Sequence, residues 1–173
     1  MAAASKHELP THYSGPVASI PSLASPGIAF LAAYLPAIDA LDRSSDLAKQ
    51  CNSLLAPDAV FITNGGPPVA KDQVDGFLEK REKNLERFGH NGGDIQVWDI
   101  DEEDGQRRIV CESVSVSVFK ADAQKEDVKV HELLLLKLNK APDGRGVGGY
   151  WATELKVYMD AGPVLAKAKV VMG

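Results

Sequence analysis

Three observations predict an α+β fold. Apolar residues recur at helical spacing in three blocks between residues 26 and 88, and nowhere else so clearly. From residue 94 onward they alternate with polar residues, the period-two pattern of strands. The two patterns are segregated along the chain rather than interleaved, which gathers helices on one side of an antiparallel sheet.

The elements follow in order. Residues 1–27 are rich in Ala, Ser, Pro and Gly without any period, so they read as an N-terminal extension, disordered or laid over the surface. Tyr13, Val17, Ile20 and Leu23 are its candidate anchors. A single domain is expected over 28–173. Its first helix begins near Pro26 or Gly27 and carries Phe30, Leu31, Tyr34, Leu35, Ile38 and Leu41 on one broad face, with Pro36 as an expected kink. Ser44 or Ser45 caps a second helix that runs through Leu47 to Leu55, with Pro57 just beyond. Ala59 to Thr63 is a short strand, and Asn64-Gly65-Gly66-Pro67-Pro68 turns the chain. A third helix spans Lys71 to Phe88, with Val74, Phe77, Leu78, Arg81 and Leu85 on one face, and Gly89 ends it.

The remainder reads as a four-stranded meander. Asp94 to Ile100 alternates, Asp104-Gly105 marks a hairpin, and Arg108 to Lys120 is a long strand. A polar turn leads into Val128 to Asn139, a glycine-rich loop follows, and Tyr150 to Met159 alternates again. The tail after Gly162-Pro163 fits a helix or a strand.

Composition bounds the function. A chain of 173 residues suits one domain, and 45% hydrophobic with 25% charged residues is ordinary for a globular protein. A net charge of −5, with no basic run, gives no electrostatic reason to expect nucleic acid or anionic membrane as a partner. The run from Ile28 to Leu41 is broken by Pro36 and Asp39, and Lys6, His7 and Glu8 sit where a signal peptide needs apolar residues, so a cytoplasmic location is expected. Cys51 and Cys111 fit no metal spacing, and neither glycine cluster has the context of a nucleotide loop. Neither metal nor cofactor is expected.

Two glutamates carry the chemical signal. The even positions of one strand read Val110, Glu112, Val114, Val116, Val118, and those of the next Val130, Glu132, Leu134, Leu136, Leu138. Each carboxylate therefore shares a face with aliphatic side chains, where desolvation favours proton chemistry. If the two strands pair with coincident faces, Glu112 and Glu132 lie close and split into an acid and a base; otherwise both sit outside, neutralised by a partner or by Arg108. His131 points opposite to Glu132, so an inward odd face would instead offer His131, Cys111, Ser113 and Ser115.

The helix signature Phe30–Leu31–x–x–Tyr34–Leu35–x–x–Ile38–x–x–Leu41–Asp42 and the segment Leu54–Leu55–Ala56–Pro57–Asp58–Ala59–Val60–Phe61, in this order of elements, resemble the SnoaL-like group of the nuclear-transport-factor-two-like proteins. The resemblance covers roughly residues 28–160. It implies a cone-shaped barrel, three N-terminal helices packed in a strongly curved antiparallel sheet, around an apolar pocket. Relatives of this kind include ketosteroid isomerase, scytalone dehydratase, polyketide cyclases and fungal isomerases of terpenoid or alkaloid pathways. They use acid–base residues without a metal or organic cofactor, while others of the fold only bind ligands or dimerise. The chain departs from ketosteroid isomerase, having Thr63 and Asn64 where that enzyme has its base. The expected activity is isomerisation, cyclisation or dehydration of a hydrophobic small molecule, with Glu132, Glu112 and His131 as catalytic candidates. Tyr34, Asn64, His90, Trp151, Phe61 and Phe77 are the candidate substrate contacts. The alternative is a non-catalytic binding or dimerisation module. Apolar residues on both faces of the meander predict a homodimer.

Overall fold

The computed structural model describes residues 11–173. Four helices, α1 (Pro26–Asp39), α2 (Asp46–Leu54), α3 (Lys71–Asn84) and α4 (Gly162–Met172), accompany eight strands. The strands are β1 (Thr11–Gly15), β2 (Leu55–Thr63), β3 (Val69–Ala70), β4 (Leu85–Gly89), β5 (Ile95–Asp101), β6 (Arg107–Phe119), β7 (Val128–Lys140) and β8 (Tyr150–Met159). They form one unclosed sheet in the order β1-β5-β6-β7-β8-β2-β3, with β4 paired to β6. The expected meander is β5 to β8. The sheet is not purely antiparallel, because β2 runs parallel to β8.

The inner face of this sheet and the helices share one core. Ile109 and Cys111 of β6 and Leu134, Leu136 and Leu138 of β7 bury against Phe30, Leu31 and Leu35 of α1. The α1 start matches its sequence signal, with Pro26 in the first turn where its missing N–H costs nothing. Pro36 does not break the helix, since only three residues follow it before the end at Asp39. The start is pinned from across the sheet. Asp99 of β5, fully buried, accepts the Gly27 N–H at 2.8 Å and the Arg107 Nε–H at 2.8 Å, placing a carboxylate at the positive end of the helix. A Cβ at Gly27 would stand 2.0 Å from Ile109 Cδ1 and 2.5 Å from the Asp99 carboxylate. Gly27→Ala should therefore destabilise the protein by about 1–3 kcal/mol in urea unfolding; an unchanged midpoint would mean that α1 can slide away from β5.

Two differences from the sequence pattern stand out, and the open choice at the tail is settled. The third helix stops at Asn84 rather than Phe88, because β6 is thirteen residues long and outruns β5; its residues Val116 to Phe119 take Leu85–Gly89 as a second partner. Tertiary pairing here overrides the helical propensity of Leu85, Glu86 and Arg87. Near the N-terminus, β1 extends the sheet by pairing with β5, Tyr13 opposite Val97. Tyr13, Val17 and Ile20 pack on the core as anchors, whereas Leu23 is 97% exposed and anchors nothing. The tail is a helix: α4 packs on β6 and β7, and Lys167 pairs with Asp122 at 2.9 Å and Glu126 at 2.6 Å.

Candidate active site

Register decides which glutamate faces inward. Along the β6–β7 hairpin each residue stands opposite one of the other parity: Cys111 opposite Leu134, Glu112 opposite Leu133, Ser113 opposite Glu132. Cross-strand partners share a face, so Glu132 lies with Ser113, Ser115 and Leu134 on the inner face, and Glu112 lies on the outer one. The expected carboxylate pair does not exist. Glu112 and His131 are both exposed, so neither is a catalytic candidate.

Glu132 has a different partner. Its Oε2 accepts from His90 Nε2 at 3.2 Å, and its Oε1 accepts from the Ser115 hydroxyl. On the other side of the ring, His90 Nδ1 donates to Asp39 Oδ1 at 2.6 Å, and the His90 backbone N–H donates to Asp39 Oδ2 at 2.8 Å. Asp39 thus fixes both the position and the rotation of the imidazole. The three groups come from the end of α1, the end of β4 and the middle of β7, which the fold brings together. His90 and Glu132 side chains are only 6% and 8% exposed.

Burial on its own would disfavour the charged imidazole, but the hydrogen bonds and charges of Asp39 and Glu132 outweigh it and push the His90 pKa up to about 9. For Glu132, burial acts to raise the pKa, and the hydrogen bond and charge of His90 together with the Ser115 hydroxyl hold it below the usual carboxylate range. At neutral pH the unit is therefore imidazolium between carboxylates. It holds one proton it can give and one carboxylate that can take another.

Two further side chains border the unit. Arg81 of α3 donates through Nη2 to the Ile38 carbonyl at 2.9 Å, satisfying an orphan group at the end of α1, and its guanidinium stacks 3.6 Å from the Phe88 ring centre. Tyr34 is buried, which keeps its hydroxyl protonated; the charges of Arg81, Asp39 and Glu132 all reach it. An open cleft of about 620 Å³ adjoins the unit, a size that suits a small ligand. Pro16, Val17 and Ala18 form one wall, Ala32, Pro36 and Phe88 another, and Asp39, His90 and Asn91 lie where the cleft meets the triad.

No family model and no curated protein matches the sequence. Solved structures match the backbone. A conserved protein from Planctomyces limnophilus shares 12% identity over 76% of this chain and 91% of its own, with a TM-score of 0.59. Aln2 from a Streptomyces species shares 13% over 85% of this chain and 99% of its own, at 0.54. The hexachlorocyclohexane dehydrochlorinase LinA-type3 from Novosphingobium barchaimii shares 12% over 78% and 84%, at 0.53. The chain has the nuclear-transport-factor-two-like fold. At such identities the likeness is one of fold, and chemistry has to be argued from the residues.

In this nuclear-transport-factor-two-like fold the other candidates scatter. His90, expected only as a contact at the mouth, is the centre of the site, and Tyr34 borders it. Asn64 is a turn residue at φ 52° whose side-chain oxygen accepts the Met159 N–H at 2.8 Å, tying β2 to β8 outside the cleft. Trp151 and Phe61 are half-buried against the core, Trp151 with Arg145 over its ring. Phe77 is 58% exposed beside Lys80 and lines nothing. Asp39 and Arg81 are site residues that the sequence pattern does not assign a role. Asp39 did carry a signal: a carboxylate in the last turn of a helix opposes the macrodipole unless a cation answers it, and α1 has no basic residue there.

Proposed function

We propose that this protein is a cofactor-independent acid–base catalyst that isomerises, cyclises or dehydrates a hydrophobic small molecule. The observation that carries this reading is the buried Asp39–His90–Glu132 chain beside an open, largely apolar cleft. Isomerisation and elimination both need a base and an acid at the same pH, and His90 with Glu132 offers an imidazolium and a carboxylate together. The His90–Glu132 contact, at 3.2 Å, is the longest within this Asp39–His90–Glu132 unit and so the weakest one to displace. A substrate seated there gives a proton to Glu132 and takes one from His90, and the two groups then restore themselves by direct transfer. Asp39 orients the ring and stabilises its charge. That one solved neighbour is by name a dehydrochlorinase supports the kind of chemistry.

The test is proton exchange on a panel of hydrophobic ketones, led by 2-tetralone, followed by proton NMR in heavy water. Exchange faster than in buffer and lost in Glu132→Gln and His90→Gln is the expected result. A native protein that accelerates no member of the panel would favour the non-catalytic binding module.

The homodimer is part of the same proposal. Tyr158 is 40% exposed on the outer face of β8, and Leu165 and Val170 of α4 are 65% and 79% exposed. Burying such groups between two copies is the simplest cover. Light scattering at micromolar concentration should give twice the chain mass of 18.5 kDa; a monomer mass would contradict it.

A further inference from the structure

One wall of the cleft comes from a part of the chain that holds no acid–base chemistry. Between Gly15 and Ser25 there is no charged side chain, yet Pro16, Val17 and Ala18 line the cleft across from Ala32, Pro36 and Phe88. This wall is held in place from several sides. Pairing of β1 with β5 anchors it to the sheet, and side chains add to the ladder: His12 Nε2 lies 3.0 Å from Gln96 Oε1, and Gln96 Nε2 donates to Ser14 Oγ at 2.7 Å. The chain then leaves the sheet sharply. Gly15 has φ 148°, and a Cβ there would stand 2.8 Å from the Tyr13 hydroxyl oxygen, a turn that glycine takes without strain. The Tyr13 hydroxyl donates to the Pro16 carbonyl at 2.6 Å, and the Ser19 N–H donates to the same oxygen at 2.9 Å. Val17 and Ile20 pack on the core, while Pro16 and Ala18 stay exposed.

The opposite wall is cut back. Ala32 and Pro36 lie one helical turn apart on α1, and the larger α1 side chains, Phe30, Leu31, Tyr34 and Leu35, are buried in the core instead. A ligand therefore reaches Asp39 and His90 between the N-terminal segment and α1. Short side chains on both walls make the gap sensitive to any added carbon. We propose that Val17 and Ala18, with Ala32 across the cleft, are the specificity-determining residues of this site: they set its width beside His90, and so the size of ring that reaches the acid–base unit. The inference rests on the acid–base reading for what becomes of the ligand, and adds which part of the chain selects it. Being uncharged, the N-terminal wall contributes shape and excludes water, and it moves no proton.

The experiment uses phenol and 2-naphthol, one ring and two, titrated into the protein by proton–nitrogen NMR. The native protein should bind 2-naphthol more tightly, since more apolar surface is buried, with the amide signals of Val17, Ala18 and His90 among those that move. Ala18→Leu replaces a methyl by an isobutyl group at an exposed position, so the fold is expected to survive. It should weaken 2-naphthol about 10-fold or more and phenol by a smaller factor. Ala32→Leu, acting from the other wall, should do the same, and Val17→Ala should move the ratio of the two affinities the other way. Leu23→Ala, in the same segment but 97% exposed and off the cleft, should leave both affinities unchanged. No 2-naphthol binding by the native protein, or an affinity ratio that stays fixed in Ala18→Leu, overturns the proposal. Its fate is separable from that of the acid–base reading. A ratio that moves as expected in a protein that exchanges no ketone would sink only the acid–base reading. Normal ketone exchange with a fixed ratio would sink only the selecting role of the wall.

Discussion

Glu132→Gln should lower turnover by about 10²–10⁴-fold, the range typical for a positioned general acid or base. The amide keeps the shape of the side chain and its hydrogen bond with Ser115, so the fold is expected to survive, but it cannot accept a proton at neutral pH. The same change at Glu112 supplies an internal control. Glu112 is exposed on the opposite face of the same hairpin, so Glu112→Gln should leave both turnover and stability unchanged within error. His131→Gln should behave likewise. An equal loss in the Glu112 and Glu132 variants would mean that the sheet faces are assigned the wrong way round.

Asp39→Asn should be comparably severe, on the order of 10²–10⁴-fold, because it removes the carboxylate that holds the ring and its charge. The neutral amide can donate to Nδ1, which favours the wrong tautomer of His90 and lowers its pKa. The pH dependence follows from the same groups. The folded His90 value of about 9 exceeds its ordinary 6.5, so the stability it contributes is full below 6.5 and is lost as pH rises through about 9. The Glu132 value is lowered, so its contribution is present above its ordinary 4.5 and disappears as pH falls through the depressed value. Turnover should follow the same limits, declining as His90 loses its proton near pH 9 and again in acid as Glu132 gains one. In Asp39→Asn the alkaline limb should move to lower pH. An alkaline limb that stays in place would show that Asp39 does not hold the charge of the ring.

Periodicity located most of the elements, and Glu132 was legible as a carboxylate among aliphatic side chains. Its neighbours were not. A hairpin whose register joins residues of opposite parity puts Glu132 inside and Glu112 outside, and a shift of one residue would have put both on the same face; nothing in the Ala121 to Asp127 turn announces which parity is realised. The Asp39–His90 contact joins two element ends 51 residues apart. Such ends carry no period, and β4 itself was hidden inside a helical pattern. Asn64, Trp151, Phe61 and Phe77 are candidates only by residue type and place in the chain, and type does not reveal whether a side chain turns to the cleft, the core or solvent. Arg81 lay in plain view on the apolar face of α3, where a guanidinium is unusual, and that misplacement was the available clue.

The central claim is that His90 is an imidazolium held between Asp39 and an ionised Glu132. Nitrogen-15 NMR of the His90 ring, titrated in the native protein and in Glu132→Gln, measures this directly. Both ring nitrogens should stay protonated through neutral pH with a midpoint near 9, and the midpoint should drop when Glu132 is neutralised. A neutral His90 ring at neutral pH, or a midpoint indifferent to Glu132, would contradict it.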